Sequence, residues 1–424
     1  MPERATEVVI VGAGAAGLAA ARRLRDRDVD FLLLEARDRT GGRAYTITSA
    51  HGSYPIELGA EFIHGAARST RELMREIGEE AVPSRGESLR LRHGRLEPGA
   101  NRWDAAERVL RRVDVTGPDR SVAAFLDTIP RDELSDEQRA DVCALVEGFD
   151  AAIVEDASII GIAKEWRSGV NDTSHRPLHG YAPLIAHLAE VARDRLVLQT
   201  IVTRVAWEPG SVTVDATRAG EKLRIHAKRA IVTLPIGVLQ AHAETFAPAL
   251  PAQKRDAIDR IAMGPVVKVA LEFRTPFWAK IDNGRYRDTG FFQATDAALR
   301  TLWTRLPDRS PVLMGWAGGG AAVRLRQSGV DPIRAALDTA ARLFPSVDVR
   351  DEVLESHFHD WDTDPFALGA YSYLRVGGDN ARERLAEPIA ATLFFAGEAA
   401  SSDDSGTVAG AFDSGYSSGE LVAK

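Results

Sequence analysis

The sequence predicts an α/β fold in which a doubly wound, parallel sheet is interleaved with a mixed α+β part. Three observations carry this. Val8-Val9-Ile10-Val11 is a short apolar run rich in β-branched residues, as a strand buried on both faces requires. It leads into Gly12-Ala13-Gly14-Ala15-Ala16-Gly17, a helical periodicity from Leu18 to Arg27, and a second strand, Val29 to Leu34, that ends on Glu35. This strand–turn–helix–strand unit is of Rossmann type. Apolar strands of the same kind return far downstream, at Ala230 to Pro235 and at Leu393 to Ala396. One sheet that collects such distant segments is interleaved with whatever lies between them.

The opening turn has a specific physics. Gly12 permits the tight turn, Gly14 with Ala16 beside it lets backbone approach a pyrophosphate, and Gly17 allows close helix–strand packing. Phosphate charge then sits at the helix N-terminus, where free N–H groups and the dipole favour it. Glu35 stands at the next strand's end, where its carboxylate accepts from ribose hydroxyls. Packing glycines without a ligand are the bland alternative. The strand before, the helix after and the acid beyond together favour a site for NAD or FAD.

Beyond about residue 75 the pattern turns to charged helical stretches, Trp103 to Val113 and Ser135 to Glu147. A helix over Pro183 to Arg193 precedes alternating strands at Arg195 to Ile201 and Val205 to Val214. Pro251 to Ile261 reads as a helix, Val266 to Phe273 as a strand and Ile333 to Phe344 as a helix. On the strand Val266 to Phe273, Val267, Val269, Leu271 and Phe273 form one apolar face. Lys268 shares the other face with Glu272, so periodicity alone reads it as a solvated lysine on a half-exposed strand.

Composition removes several classes. The net charge of −8, without clustered basic runs, argues against nucleic acid as a partner. A single cysteine, Cys143, excludes an internal disulfide framework and a cysteine-based metal centre. No stretch reaches the ~18–20 apolar residues of a membrane span, and the apolar N-terminal run lacks the basic flank of a signal peptide. The expectation is a soluble cytoplasmic protein.

The segment after the ribose acid is more specific. Glu35-Ala36-Arg37-Asp38-Arg39-Thr40-Gly41-Gly42-Arg43 joins two glycines, which allow backbone approach, to arginines able to bind phosphate oxygens. With the glycine turn, it resembles the second fingerprint of FAD-containing amine oxidases. Ile56-Glu57-Leu58-Gly59-Ala60-Glu61-Phe62-Ile63-His64-Gly65 extends the likeness toward polyamine and bacterial monoamine oxidases. The resemblance runs from residue 8 to about 420 and thins between roughly 76 and 175. It implies that Gly59, Ala60, Glu61 and Phe62 line the cofactor, and that Val202, in Thr200-Ile201-Val202, contacts the adenine. The segment Met263 to Phe273 resembles the strand whose lysine, here Lys268, lies on a buried side, which overrides the periodicity, and holds a water against flavin N5 to assist the reaction with oxygen. Gly369-Ala370-Tyr371-Ser372-Tyr373 with Trp361 resembles the aromatic segment at the isoalloxazine, Tyr371 forming one wall of a cage for the amine. The opposite wall, often aromatic in monoamine oxidases, falls at Thr407, which implies a half-open cage. Gly397-Glu398 and Thr407-Val408 resemble the C-terminal flavin motif, with a helix starting at Thr407-Val408. His64 is read as a substrate-pocket residue, not an essential base.

Ala370 stands where covalent attachment of the flavin needs a cysteine, so the FAD is expected to be non-covalent. The implied activity is oxidation of a primary or secondary amine to an imine, hydrolysed to aldehyde or ketone, with O2 reduced to hydrogen peroxide. Glu61-Phe62-Ile63-His64 replaces the arginine that binds the substrate carboxylate in amino-acid oxidases of this fold, which argues against an α-amino acid. A flavin-dependent desaturase or protoporphyrinogen-type oxidase, and a flavin-binding protein without turnover, are the alternatives. The expected division is an FAD-binding domain of 1–75, 190–250 and 375–424 and a substrate-binding domain of 76–189 and 251–374. The substrate's identity is left open, as is the oligomeric state, a homodimer being one option.

Two motifs are discounted. Gly415-Tyr416-Ser417-Ser418-Gly419 fits a hydrolase nucleophile elbow, but no Asp or His follows it. His357-x-His359 offers two imidazoles with no evident partner to complete a metal site.

Overall fold

The computed structural model describes residues 3–99, 102–169 and 174–424. Residues 100, 101 and 170–173, within the segment that thins in family likeness, lie outside the described residues.

A five-stranded parallel sheet has the order Leu196–Val197, Phe31–Leu34, Val8–Val11, Arg229–Val232, Leu393–Phe395. Its strands are continuous apolar runs because both faces are covered. Val8, Ile10, Ile231 and Phe394 point into a core with the helix Ala15–Asp26 and the C-terminal helix Val408–Val422. Val9, Ala230, Val232, Leu393 and Phe395 point the other way, onto Val205, Val214 and Ile225 of a second sheet. That mixed sheet contains the antiparallel strands Thr200–Glu208, Ser211–Arg218 and Glu221–Ala227. The single strand expected over Val205 to Val214 is therefore two, split at Gly210, whose φ of 80° forms a turn that a side chain disfavours.

The helices Ala15–Asp26 and Val408–Val422 pack backbone to backbone. A Cβ on Gly415 would lie 2.1 Å from the carbonyl oxygen of Ala16, and one on Gly419 2.8 Å from the Cβ of Arg23. The elbow-like Gly415 to Gly419 motif is thus a helix-packing surface.

A seven-stranded sheet has the order Val353–Phe358, Val266–Phe273, Val312–Gly318, Thr301–Trp303, Thr289–Gln293, Glu87–Arg92, Arg95–Pro98. Helices Gly319–Gln327 and Pro332–Leu343 cover the face formed by Val267, Val269, Leu271 and Phe273. The opposite face packs Ala270, Val312 and Met314 against Ile56 and Leu58. Every residue of Val266–Phe273 is buried, as the resemblance implies for Lys268 and against what periodicity alone suggests. Its second face is covered by a segment some two hundred residues earlier, which periodicity does not report. The helices Arg102–Leu110, Val122–Leu126, Asp136–Phe149 and Ile159–Arg167 form a further core. Among the described residues no helix is long and apolar enough to cross a membrane.

Candidate active site

A cavity of about 840 Å³ runs from the C-terminal ends of the parallel strands to the inner face of the seven-stranded sheet. At the first end, Gly12 has φ 103°, and a Cβ on Gly17 would lie 1.8 Å from the Gly12 carbonyl oxygen. Neither position accepts a side chain. The helix starting at Ala15 has no side-chain cap at Gly14 and no acid in its first turn, so its N–H groups face the cavity uncapped. Gly14 also bridges to Gly41, bringing the two glycine segments together. Ala16, Ala36 and Gly42 line the same wall.

Glu35 is fixed by two backbone donors, Ala13 N–H to Oε2 at 2.7 Å and Arg37 N–H to Oε1 at 2.9 Å. Burial raises its pKa against these bonds. Thr200 N–H donates to the Glu35 carbonyl and Gln199 N–H to that of Arg37, which places Val202 on the cavity wall near the acid.

The arginines expected at phosphate oxygens have protein partners. Arg37 pairs with Asp364 at 3.0 Å and lies over the Phe366 ring. Burial opposes the charge of Asp364, but hydrogen bonds from His359 and the Phe366 backbone, with Arg37, hold it at about 2. Arg43 donates to Glu398 Oε1 and to the Ala370 carbonyl, both at 2.8 Å. Glu398 also accepts from Ser372 Oγ at 2.6 Å. Burial works against its ionisation, and the charges of Arg43 and Arg382 outweigh it, so its pKa falls. Gly397, with φ 146°, turns the chain at this point.

At the other end, Lys268 Nζ donates to the Gly59 carbonyl at 2.9 Å and pairs with Glu61 Oε2 at 2.8 Å. Gly59 comes so close to Arg43 that a Cβ would lie 1.8 Å from the Arg43 carbonyl oxygen. Glu61, grouped by its motif with the cofactor residues, engages its carboxylate with protein groups. Besides Lys268 it accepts from Arg176 Nε and Trp303 Nε1, each at 2.9 Å. Burial would raise its pKa, but Lys268, Arg176 and Arg305 hold it at about 2. Glu57 lies close by, and burial pushes it up to about 7 despite the charge of Lys268.

The aromatic residues are pinned by their polar ends. Tyr371 donates its hydroxyl to the Phe149 carbonyl at 2.8 Å, and Trp361 its Nε1–H to that of Leu58 at 2.8 Å. Both line the cavity with Lys268, Phe62, His64, Trp303 and Trp316. His64 packs 5.1 Å from the Phe149 ring and 5.7 Å from Phe62. Burial, then the Arg176 charge, pushes its pKa down to about 4, so it is neutral at pH 7. Thr407 caps the C-terminal helix, accepting from Gly410 N–H at 3.0 Å and donating to the Asp404 carbonyl at 2.7 Å. Its side chain is thereby occupied, and Val408 begins the helix beside it on the cavity wall.

The site residues expected from sequence line this cavity except Gly17, which packs behind its wall against the Gly12 carbonyl. Sequence reading missed Phe149, Arg176, Trp303, and the acids Asp150 and Glu165, which line it beside Tyr371 or support it from behind. Burial and mutual proximity raise the pKa of Asp150, and burial raises that of Glu165 against the charge of Arg382. These residues lie in the stretch where the family likeness thins or on short strands. Their only signal is tertiary.

The family model for flavin containing amine oxidoreductases matches residues 15–423. Polyamine oxidase 4 of Oryza sativa subsp. japonica is 29% identical over 98% of this chain and 88% of its own length. Cyclohexylamine oxidase from Brevibacterium oxydans superposes with TM-score 0.81 at 25% identity, covering 99% of this chain and 98% of that one. A putrescine oxidase bound to putrescine shares the fold with TM-score 0.82 at 20% identity, over the whole of both chains. With the glycine cradle, the buried lysine and the aromatic wall in one cavity, these matches establish that the chain belongs to the flavin-containing amine oxidoreductases and is an FAD-dependent amine oxidase.

Proposed function

We propose that this cavity oxidises a small primary or secondary amine carrying no α-carboxylate, with FAD held non-covalently and O2 as electron acceptor, yielding hydrogen peroxide. The observation that carries the reading is Lys268, buried and clamped between the Gly59 carbonyl and Glu61, on a cavity wall shared with Tyr371. Polyamine, putrescine and cyclohexylamine oxidases among the similar proteins support an amine without a carboxylate.

The residues present fit FAD. Gly12 and Gly17 form a cradle that a Cβ would fill, the uncapped helix at Ala15 suits a pyrophosphate, and Glu35 suits a ribose. Gly42, Arg43, Gly59, Ala60, Glu398, Thr407 and Val408 would continue the binding wall toward the ring system. Cys143 lies outside the cavity on the helix Asp136–Phe149, and burial pushes its thiol up to about 11. It is unsuited to attack a cofactor.

When bound, FAD supplies the two-electron acceptor that converts the amine to an imine. The chain's residues orient and desolvate. Tyr371, its hydroxyl anchored on Phe149, presents a fixed ring wall, and Thr407, whose side chain is occupied in the cap, leaves the opposite wall open. Neutral His64 and the rings of Phe62, Trp303 and Phe149 favour the uncharged amine, whose free pKa is near ~10. Lys268 is positioned to hold a water in the cavity, and Glu61 positions Lys268.

We divide the chain into an FAD-binding part of 1–75, 190–250 and 375–424 and a substrate-binding part of 76–189 and 251–374, in keeping with which segments supply the parallel and seven-stranded sheets. A cytoplasmic setting accords with the lone cysteine. Sedimentation of the holoenzyme distinguishes monomer from homodimer. Oxygen uptake and peroxide release with putrescine, cyclohexylamine, an arylalkylamine and α-amino acids test the substrate proposal. Turnover confined to amines without a carboxylate is expected, and turnover of α-amino acids alone contradicts it.

A further inference from the structure

The face of the strand Val266–Phe273 that carries Lys268 also carries Ala270 and Glu272. Across the antiparallel ladder, Glu272 stands opposite Glu355 and Ala270 opposite His357. Glu355 and His357 lie two residues apart, on one face of their strand. Two carboxylates directly opposed across a ladder repel. The small Ala270 leaves His357 room to lean toward them. One ligand atom from each of Glu272, Glu355 and His357 lies within 4.8 Å of the others.

Two atoms of this cluster have unmet hydrogen-bonding capacity. Glu272 is fully buried, and its Oε1 accepts from Ser49 Oγ at 2.6 Å and from the Tyr54 hydroxyl. Those two bonds fix the carboxylate plane, while the buried Oε2 has no hydrogen-bond partner among the described residues. Nε2 of His357 has none either, its nearest acid being Glu355 Oε2 at 3.7 Å. His51 Nε2 approaches the same Glu355 oxygen, also at 3.7 Å. Glu355 is exposed enough to rotate inward.

We infer that Glu272, Glu355 and His357 form a binding site for a divalent transition cation of the Zn2+ type, with His51 near enough to add a fourth donor. One imidazole nitrogen and two carboxylate oxygens are a donor set for such an ion, which takes them at ~2.0–2.2 Å. Ser49 and Tyr54 hold the buried ligand in place from behind. The cation neutralises the opposed carboxylates and ties the lysine-bearing strand to its neighbour. None of the three ligands lines the amine cavity, so the site is separate from the oxidation chemistry. His359, the second imidazole of the His357-x-His359 motif, is not a ligand: it bonds Asp364 at 2.7 Å. The partners of His357 come from a neighbouring strand and from two residues upstream, and the cross-strand register that unites them is not visible in sequence.

The test uses FAD-loaded enzyme, treated with chelator, dialysed and titrated calorimetrically with Zn2+, Mg2+ and Ca2+. One Zn2+ per chain is expected, with a higher melting temperature, and with Mg2+ and Ca2+ binding far more weakly. His357→Asn and Glu355→Gln, both at partly exposed positions, should each weaken Zn2+ binding at least about tenfold, and Tyr54→Phe by about tenfold, with the flavin spectrum unchanged. Zn2+ binding that survives both ligand substitutions at full affinity overturns the site, as does no binding to the wild type. Preference for Mg2+ or Ca2+ overturns the class of ion.

Discussion

At the residue scale, the arrangement turns on a few buried charges. Lys268, Glu61 and Arg176 form a chain in which each is stabilised by the next, so Glu61 is a positioning group for the lysine. Lys268→Met should slow reoxidation of reduced enzyme by O2 about 100-fold while leaving amine-driven reduction much less affected. Stopped-flow measurement of the two half-reactions checks the split. His64 makes the contrasting case. Its folded pKa of about 4 lies below the unfolded value near ~6.5, so the unfolded state binds more protons between those values. Stability from this group is complete above pH ~6.5 and is lost as pH falls toward 4. His64→Asn should flatten that acid loss in thermal melts. It should leave the shape of the kcat/KM profile between pH ~6 and 9 unchanged, since the imidazole is already neutral there. The lysine was the harder residue to read. Its strand alternates like a half-exposed one, and the cover over Lys268 comes from the distant segment around Ile56 and Leu58. Family likeness pointed to its burial, whereas local periodicity pointed away from it.

At the scale of elements, legibility follows how local the cause is. Val8–Val11 is recognisable because a strand buried on both faces has nowhere to place a polar residue. The cap at Thr407 is legible because a side-chain oxygen followed by an apolar helix is itself a local device. Val205 to Val214 was misread because the alternation continues through a turn whose cause is Gly210. The acids Asp150, at the end of one helix, and Glu165, within another, carried no signal, since such residues become cavity residues only through packing. The glycine contacts make a sharp prediction at this scale. Gly17→Ala would drive a Cβ into the Gly12 carbonyl, and Gly415→Ala would drive one into that of Ala16. Each should cost about 1–3 kcal/mol in denaturant unfolding. Only Gly17→Ala should also weaken FAD retention, because it alone distorts the cradle.

For the whole molecule, the continuously apolar strands in the sequence point to one parallel sheet interleaved with a mixed α+β part, whereas the order of the strands comes only from their pairing. What the sequence withholds is the meeting of these parts at one cavity, since Trp303, Arg176 and Phe149 reach the site from three separate segments. The lone cysteine matters at this scale too. With Ala370 on the cavity wall and Cys143 outside it, acid precipitation should release all FAD into the supernatant. Flavin absorbance that stays with the pellet contradicts non-covalent binding. The net charge of −8 accords with cationic amines as substrates and identifies none of them. The most direct test of the central claim is anaerobic mixing of the holoenzyme with a panel of polyamines, arylalkylamines, cycloalkylamines and N-methylated amines, followed by flavin absorbance. Bleaching by at least one amine, slowed in Tyr371→Ala, is the predicted result. Flavin that stays oxidised with every amine contradicts the assignment of this cavity as the site of amine oxidation.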